Sequence, residues 1–253
     1  MKVTGVIPAR YDSTRFPGKP LIIIKGKSMI RRVYEQSMKC SLLDNVIVAT
    51  DDKRIYEHVL SFGGKAVMTS KKHKSGTDRI NEAVQNIDCN IVVNIQGDEP
   101  YIDPKNIDKA VKPLLSDKKL NVSTLATRIK DISEVTNPNI VKVIFDVNGF
   151  AIYFSRGILP FDKSISNSLY LPASAKFYKH IGLYVYRKKF LKEFAEMKKS
   201  YLEETEKLEQ LRILENGEKI KVVITNKDSL SVDTPEDLMI LDKNNINTTE
   251  HLL

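Results

Sequence analysis

The sequence predicts an α/β fold: a doubly wound, mainly parallel sheet carrying a β-rich insertion. Two observations predict it. Through the first half of the chain, short apolar runs alternate with segments of helical period, and the runs are apolar throughout. Strands look like this when helices cover both faces of a parallel sheet. Later, two β-rich runs flank an Asn-Gly pair at 148–149, the mark of a tight hairpin.

In order, VTGVI (3–7) reads as a buried strand, followed by a basic loop and a short LIIIKGK segment. Ser28 can cap a helix whose apolar positions are Met29, Ile30, Val33, Tyr34 and Met38, close to a 3.6 period. NVIVAT (45–50) is the next strand, DKRIYEHVLSFG (52–63) a helix closing at Gly63, and AVMT (66–69) a third strand. TDRINEAVQNI (77–87) is a helix with Ile80, Ala83, Val84 and Ile87 on one face, and NIVVNI (90–95) is a strand running into QGDEP. This order requires right-handed crossovers. In such sheets ligands bind beyond the carboxyl ends of the strands. The basic loop, SGTDR and QGDEP therefore belong at one edge.

The second half reads as a hairpin over 139–156, a loop-like stretch at 158–178 and a strand at 179–187. Helical patterns run through 206–217, a strand follows at 219–225, and a closing helix at 233–244 has Thr234 as cap and Pro235 in its first turn. With no repeat and no low-complexity linker, 1–253 is expected to be a single domain with a β-rich subdomain at about 130–190.

Composition excludes several classes. No apolar stretch approaches the roughly 20 residues needed to span a bilayer, and MKVTGVIPAR lacks the pattern of a signal peptide. A cytoplasmic location is expected. Cys40 and Cys89 have no CxxC spacing, so neither zinc nor a disulfide is expected. The net charge of +8 would permit nucleic-acid binding, but the lysines are spread over 71–74, 118–119, 187–189 and 198–199 as surface solvation would place them. Neither a nucleic-acid nor a membrane partner is expected.

Three segments carry chemistry. In GVIPARYDSTRFPGKPL (5–21), Arg10, Arg15 and Lys19 crowd a loop stiffened by Pro17 and Pro20. Such cations repel one another unless an anion sits among them. The loop matches neither GxxxxGK[ST] nor GxGxxG, so it must hold phosphates with side chains, work that suits the planar guanidinium fork. In QGDEP (96–100), Asp98 leaves a buried strand beside those phosphates and is a natural Mg2+ ligand, with Asp233 of SVDTPED as a second candidate. Helix capping is the alternative for each. In HKSGTDR (73–79), Gly76 allows close backbone approach, and Ser75 and Thr77 offer hydroxyls to a base or ribose.

PARYDSTRFPGKPL, HKSGTDR, NIQGDEP, NPNIVKVI, YFSR, KHIGLYVYR, LEQLRILENG and VDTPEDL, in this order over nearly the whole chain, closely resemble the 3-deoxy-manno-octulosonate cytidylyltransferases, or CMP-Kdo synthetases. The resemblance implies a nucleotide-diphospho-sugar-transferase-like fold and a Mg2+-dependent homodimer. It also implies transfer of CMP from CTP to Kdo, an eight-carbon sugar acid, with release of pyrophosphate, for lipopolysaccharide assembly. It implies that Arg10, Ser13, Arg15 and Lys19 hold the triphosphate, with Lys19, Arg15 and Asp98 acting in catalysis. By the same resemblance, Ser75, Gly76, Thr77, Arg79 and Gln96 are expected to line the nucleotide pocket, Asp98 and Asp233 to hold the metal, and Arg156, His180, Tyr184, Glu209 and Gln210 to form the sugar-acid pocket. Two departures stand out: Asp78 replaces a common glutamate, and 162–176 do not align with the pattern, which leaves an 8-amino analogue of Kdo open as acceptor. The rival readings are a cytidylyltransferase for another keto-sugar acid or a polyol phosphate, and a noncatalytic nucleotide- or RNA-binding module.

Overall fold

The computed structural model describes residues 1–12, 16–73, 75–163, 170–172, 175–228, 231–232, 234 and 237–238. The fold is mixed α/β on a mainly parallel sheet. Its contacts divide the chain into two compact units. The first comprises Lys2–Cys89, Asn94–Lys105 and the described residues after 230; the second comprises Met1, Asn90–Val93 and Asn106–Asp228.

The first unit holds β1 (Val3–Ala9), β2 (Ile23–Ile24), β3 (Lys27–Ser28), α1 (Met29–Ser37), β4 (Asn45–Thr50), α2 (Lys53–Ser61), β5 (Ala66–Met68) and α3 (Gly76–Val84). β1, β4 and β5 lie side by side and parallel, with Ala9 opposite Thr50 and Val48 opposite Ala66. Val6, Ile7, Val48 and Ala49 are fully buried, as continuous apolar runs require. The three helices begin on side-chain caps: Ser28, Asp52 and Ser75 accept from the backbone N–H of Arg31, Arg54 and Asp78. Gly63 ends the α2 turn in the left-handed region (φ 79°). Met38, expected on the buried face of α1, is exposed, because the helix has already ended at Ser37.

The second unit holds β6 (Ile91–Asn94), α4 (Pro104–Ser116), β7 (Val122–Arg128), α5 (Ile132–Thr136), β8 (Lys142–Phe145), β9 (Ala151–Ser155), β10 (Tyr178–Arg187), α6 (Lys188–Glu196), α7 (Tyr201–Glu206), α8 (Leu211–Glu215) and β11 (Ile220–Thr225). The strand order is β11-β7-β10-β6, and β8 bridges β10 and β9. β7 is parallel to β11 and antiparallel to β10. The β8–β9 hairpin turns at the expected Asn148-Gly149, with Gly149 at φ 75° and the Asp146 carboxylate accepting from the N–H of Asn148 and Phe150.

Strand β7 has no counterpart in the sequence reading. Its hydroxyl residues Ser123, Thr124 and Thr127 are all buried. Ser123 donates to Ala110 O (2.5 Å) and Thr124 to Leu183 O (2.8 Å), which removes the cost of burying a hydroxyl. The helical pattern at 206–217 resolves into the end of α7 and a separate α8, broken where Lys207 adopts left-handed φ (55°). Of the closing helix, Thr234, Asp237 and Leu238 are described, and the first two exchange capping bonds, Asp237 N to Thr234 Oγ1 and Thr234 N to the Asp237 carboxylate. Among the described residues no helix is long and apolar enough to cross a membrane.

Candidate functional site

In the first unit the candidate residues gather beyond the carboxyl end of β1. Arg10 follows that strand and is exposed. The loop then returns to a single 3-10 turn, Lys19–Leu21, entered through Gly18 at φ 71°. Gly18 is required twice. Its N–H donates to Tyr11 O (2.9 Å), and a Cβ there would lie 3.2 Å from the Tyr11 ring. The Arg54 guanidinium lies over the same ring, 3.3 Å from the centroid.

This turn sets the Lys19 ammonium, which donates to Asp98 Oδ2 (2.8 Å) and to Val232 O (2.9 Å). The lysine and aspartate side chains are 15% and 25% exposed, enough for a ligand to reach both. Asp98 is placed by its neighbours. Ile95 N donates to Val6 O, and Gly97 packs so closely on β1 that a Cβ would come 2.9 Å from Pro8 O. Asp98 does not cap the helix after it; Asp103 accepts from Lys105 N instead. Gln96 is half-buried beside it.

α3 brings its amino end to the same edge, where a Cβ on Gly76 would touch the Pro8 ring at 3.7 Å. Ser75 caps the helix and Thr77 is buried. Arg79 is 4% exposed and donates to Thr69 Oγ1 (2.6 Å) and Asp51 Oδ2 (2.7 Å). Its guanidinium thus ties the ends of β4 and β5 together. Ser13, Arg15 and Asp233 lie outside the described residues.

The second unit holds the five residues expected to contact a sugar acid. Arg156 follows β9; its Nε donates to Glu206 O (3.0 Å) and its Nη1 to Pro138 O (3.1 Å). Both partners are neutral carbonyls, and among the described residues no carboxylate forms an ion pair with it. The rest of the fork is therefore available to an anion.

On β10, the His180 ring packs between Phe154 and Tyr184, with centroids 5.1 and 5.2 Å away. Burial pushes its pKa down to about 3, so the imidazole is neutral at physiological pH. Thr124 Oγ1 sits 2.9 Å from Nε2 and 2.8 Å from Leu183 O. Ile181 O also lies within its reach, at 3.2 Å, and the neutral imidazole offers one donor and one acceptor nitrogen.

The Tyr184 hydroxyl is buried beside the Thr124 hydroxyl but has no bond of good geometry among the described residues, so a bound ligand can still satisfy it. Burial and the neighbouring Tyr186 and Glu209 push its pKa up, so it remains a donor. Gln210 is buried, and Glu209 Oε1 is held 3.1 Å from Arg212 Nη2. Arg212 is itself buried, with Nε 3.0 Å from Glu203 and its plane over Phe194.

Sequence reasoning missed Thr124, Glu206 and Arg212. Each acts through a contact between residues far apart in the chain or hidden in a helical pattern, so no local signal marks it. Lys142 did leave a sign, as the lone cation in the apolar run of NIVKVIF. No group of three metal-ligating side chains occurs among the described residues.

A family model described as cytidylyltransferase matches residues 4–220. A 3-deoxy-manno-octulosonate cytidylyltransferase from Geotalea daltonii is 54% identical over 94% of this chain and 96% of its own. One from Thermodesulfovibrio yellowstonii is 51% identical over 94% and 96%. Among solved structures, a CMP:2-keto-3-deoxy-manno-octonic acid synthetase complexed with CTP superimposes with a TM-score of 0.89 at 38% identity, covering all of both chains. A cytidylyltransferase from Leptospira borgpetersenii, at 18% identity and a TM-score of 0.62 over 98% of this chain and 96% of its own, shares the fold.

Proposed function

The chain belongs to the 3-deoxy-manno-octulosonate cytidylyltransferase family, and we propose that its two candidate clusters bind CTP and Kdo for the transfer that the family name describes. The enzyme is a nucleotidyltransferase that couples a CMP unit to the sugar acid. The observation that carries the residue-level reading is the Lys19–Asp98 pair, a cation and a carboxylate 2.8 Å apart and partly open, just beyond the first strand of a parallel sheet.

In the reaction the anomeric hydroxyl of Kdo attacks the α-phosphorus of CTP. A new O–P bond forms as the bond to pyrophosphate breaks, and the hydroxyl proton is released. Positioning and charge neutralisation supply most of such an acceleration. Lys19 and Arg15 neutralise the phosphates, with Arg10 and Ser13 completing the loop. Ser75, Gly76, Thr77 and Gln96 meet the nucleoside; Arg79, engaged by Asp51 and Thr69, supports them from behind. Arg156 takes the sugar carboxylate, while the neutral His180 imidazole and the Tyr184 hydroxyl meet sugar hydroxyls, with Glu209 and Gln210 beside them.

A Mg2+ ion suits this donor set. Asp98 presents one carboxylate oxygen to Lys19 and has a second to offer, and Mg2+ needs only one or two carboxylates when phosphates and waters complete its octahedron. Asp98, with Asp233, would hold it, and it would supply charge neutralisation at the phosphates.

We read the protein as a cytoplasmic homodimer serving lipopolysaccharide synthesis. The exposed apolar side chains of Val147, Ile152, Ile158 and Phe161 support a contact with a second copy. Mass spectrometry of products from CTP, Mg2+ and either Kdo or its 8-amino analogue tests the substrate assignment. CMP-Kdo with stoichiometric pyrophosphate is expected, and turnover with the amino sugar alone would replace the acceptor.

A further inference from the structure

Lys142 has no exposed surface, yet among the described residues no carboxylate pairs with it. A buried ammonium is costly unless its donors are satisfied, and an apolar side chain would fill the same place at less cost. Its three N–H groups all go to backbone carbonyls: Asn137 O (2.9 Å), Ile140 O (2.6 Å) and Arg156 O (2.8 Å).

These three carbonyls share one feature. Asn137 and Ile140 bracket Pro138, whose own carbonyl accepts from Arg156 Nη1 (3.1 Å), and the third belongs to Arg156 itself. Glu206 completes the arrangement from α7. Its Oε2 accepts from Arg156 N (3.0 Å), its Oε1 from Ser155 Oγ (2.7 Å), and its backbone carbonyl from Arg156 Nε (3.0 Å). The N–H, the C=O and the guanidinium of Arg156 are thus each anchored, directly or through the 137–140 turn, by Lys142 or Glu206. The chain after Glu206 leads straight to Glu209 and Gln210, so the same acid ties two parts of the sugar-side cluster together.

We propose that Lys142 and Glu206 are positioning residues, a clamp that fixes Arg156 in the orientation needed to grip the carboxylate of the sugar acid. The proposal rests on the reading that Arg156 is the carboxylate-binding group. The burial of a cation is then offset by preorganisation: an arginine whose backbone and two of whose N–H groups are already fixed loses less freedom on binding.

The test compares Lys142→Met, Glu206→Gln, Arg156→Ala and the Lys142→Met/Arg156→Ala double variant. Each is assayed for the KM of Kdo at saturating CTP, the KM of CTP at saturating Kdo, and Tm. We expect Lys142→Met and Glu206→Gln each to raise the Kdo KM about tenfold or more while the CTP KM stays within about twofold. The effect of Lys142→Met should vanish once Arg156 is gone. If Lys142→Met yields no folded protein, Glu206→Gln alone decides. An unchanged Kdo KM, or parallel rises in both KM values with a falling Tm, would overturn the clamp and leave only a structural role. If Arg156→Ala leaves the Kdo KM unchanged, the carboxylate assignment of Arg156 falls first and the clamp with it.

Discussion

Replacing Lys19 by methionine keeps the volume of the side chain and deletes its charge. Two losses follow, and the structure separates them. The first is the ion pair with Asp98. At 2.8 Å the bare Coulomb energy is about 6 kcal/mol at an effective dielectric of about 20, but desolvation cancels most of it. Exposed pairs contribute roughly 0–1 kcal/mol and breaking fully buried ones costs roughly 3–5. With side chains 15% and 25% exposed, this pair belongs between them, at about 2 kcal/mol, which lowers Tm by about 4–8 °C in a chain of this size. The second loss appears only when phosphates are bound. Deleting one preorganised donor from a developing charge costs about 3–4 kcal/mol, or roughly 100- to 1,000-fold in kcat. Pyrophosphate release at saturating CTP and Kdo, beside a thermal melt, reads both. Asp98→Asn should reproduce the fall in Tm, and the double variant should lose less than the sum of the singles. Turnover by Lys19→Met within about threefold of the native enzyme would refute the assignment of this cation to the triphosphate, whatever the melt shows.

Tyr184→Phe removes a buried hydroxyl with no well-formed bond among the described residues, only the neighbouring Thr124 hydroxyl, so stability should hold or improve by about 1 kcal/mol, while the Kdo KM rises; a clear loss of stability in a denaturant titration would show that the hydroxyl already has a structural bond. His180, with its pKa pushed down to about 3 by burial, should show no titration of its ring proton shifts between pH 5.5 and pH 8 in NMR spectra, each limit being about a unit or more from an ordinary histidine midpoint. Because the unfolded ring binds a proton below its ordinary value near 6.5, its contribution to stability is full above that pH and declines as pH falls, by about 2 kcal/mol at pH 5; His180→Asn should flatten this part of the stability profile. Arg79→Met leaves Asp51 without its guanidinium at a site where the arginine is 4% exposed, and should cost about 3–5 kcal/mol of unfolding free energy. Arg79→Lys should rescue little of it, since a single ammonium cannot span Thr69 and Asp51 as the fork does.

The parallel half of the fold was legible because its physics is local. Ser28, Asp52 and Ser75 sit where a cap must, and the buried strands are apolar without interruption. The Asn-Gly hairpin was legible for the same reason, since positive φ restricts which residues can turn there. Strand β7 was not legible, because Ser123 and Thr124 are tolerable in a buried strand only when a carbonyl of α4 or β10 receives their protons. Nor did the pattern at 206–217 reveal the break at Lys207.

The same division runs through the candidate sites. Lys19, Asp98, Arg156, His180 and Tyr184 are chemical types in recognisable motifs, and the sequence alone determined that they are present and in which order. Whether a given cation is open to a ligand was decided only in three dimensions. Arg79 and Arg156 are both arginines in motif positions, yet one has a carboxylate and a threonine on its fork while the fork of the other, among the described residues, is held by neutral carbonyls. The state of His180 and the burial of Lys142 follow the same rule. Charge, protonation and reach depend on how much water is excluded and on which donors lie opposite, and those neighbours are brought in from distant parts of the chain.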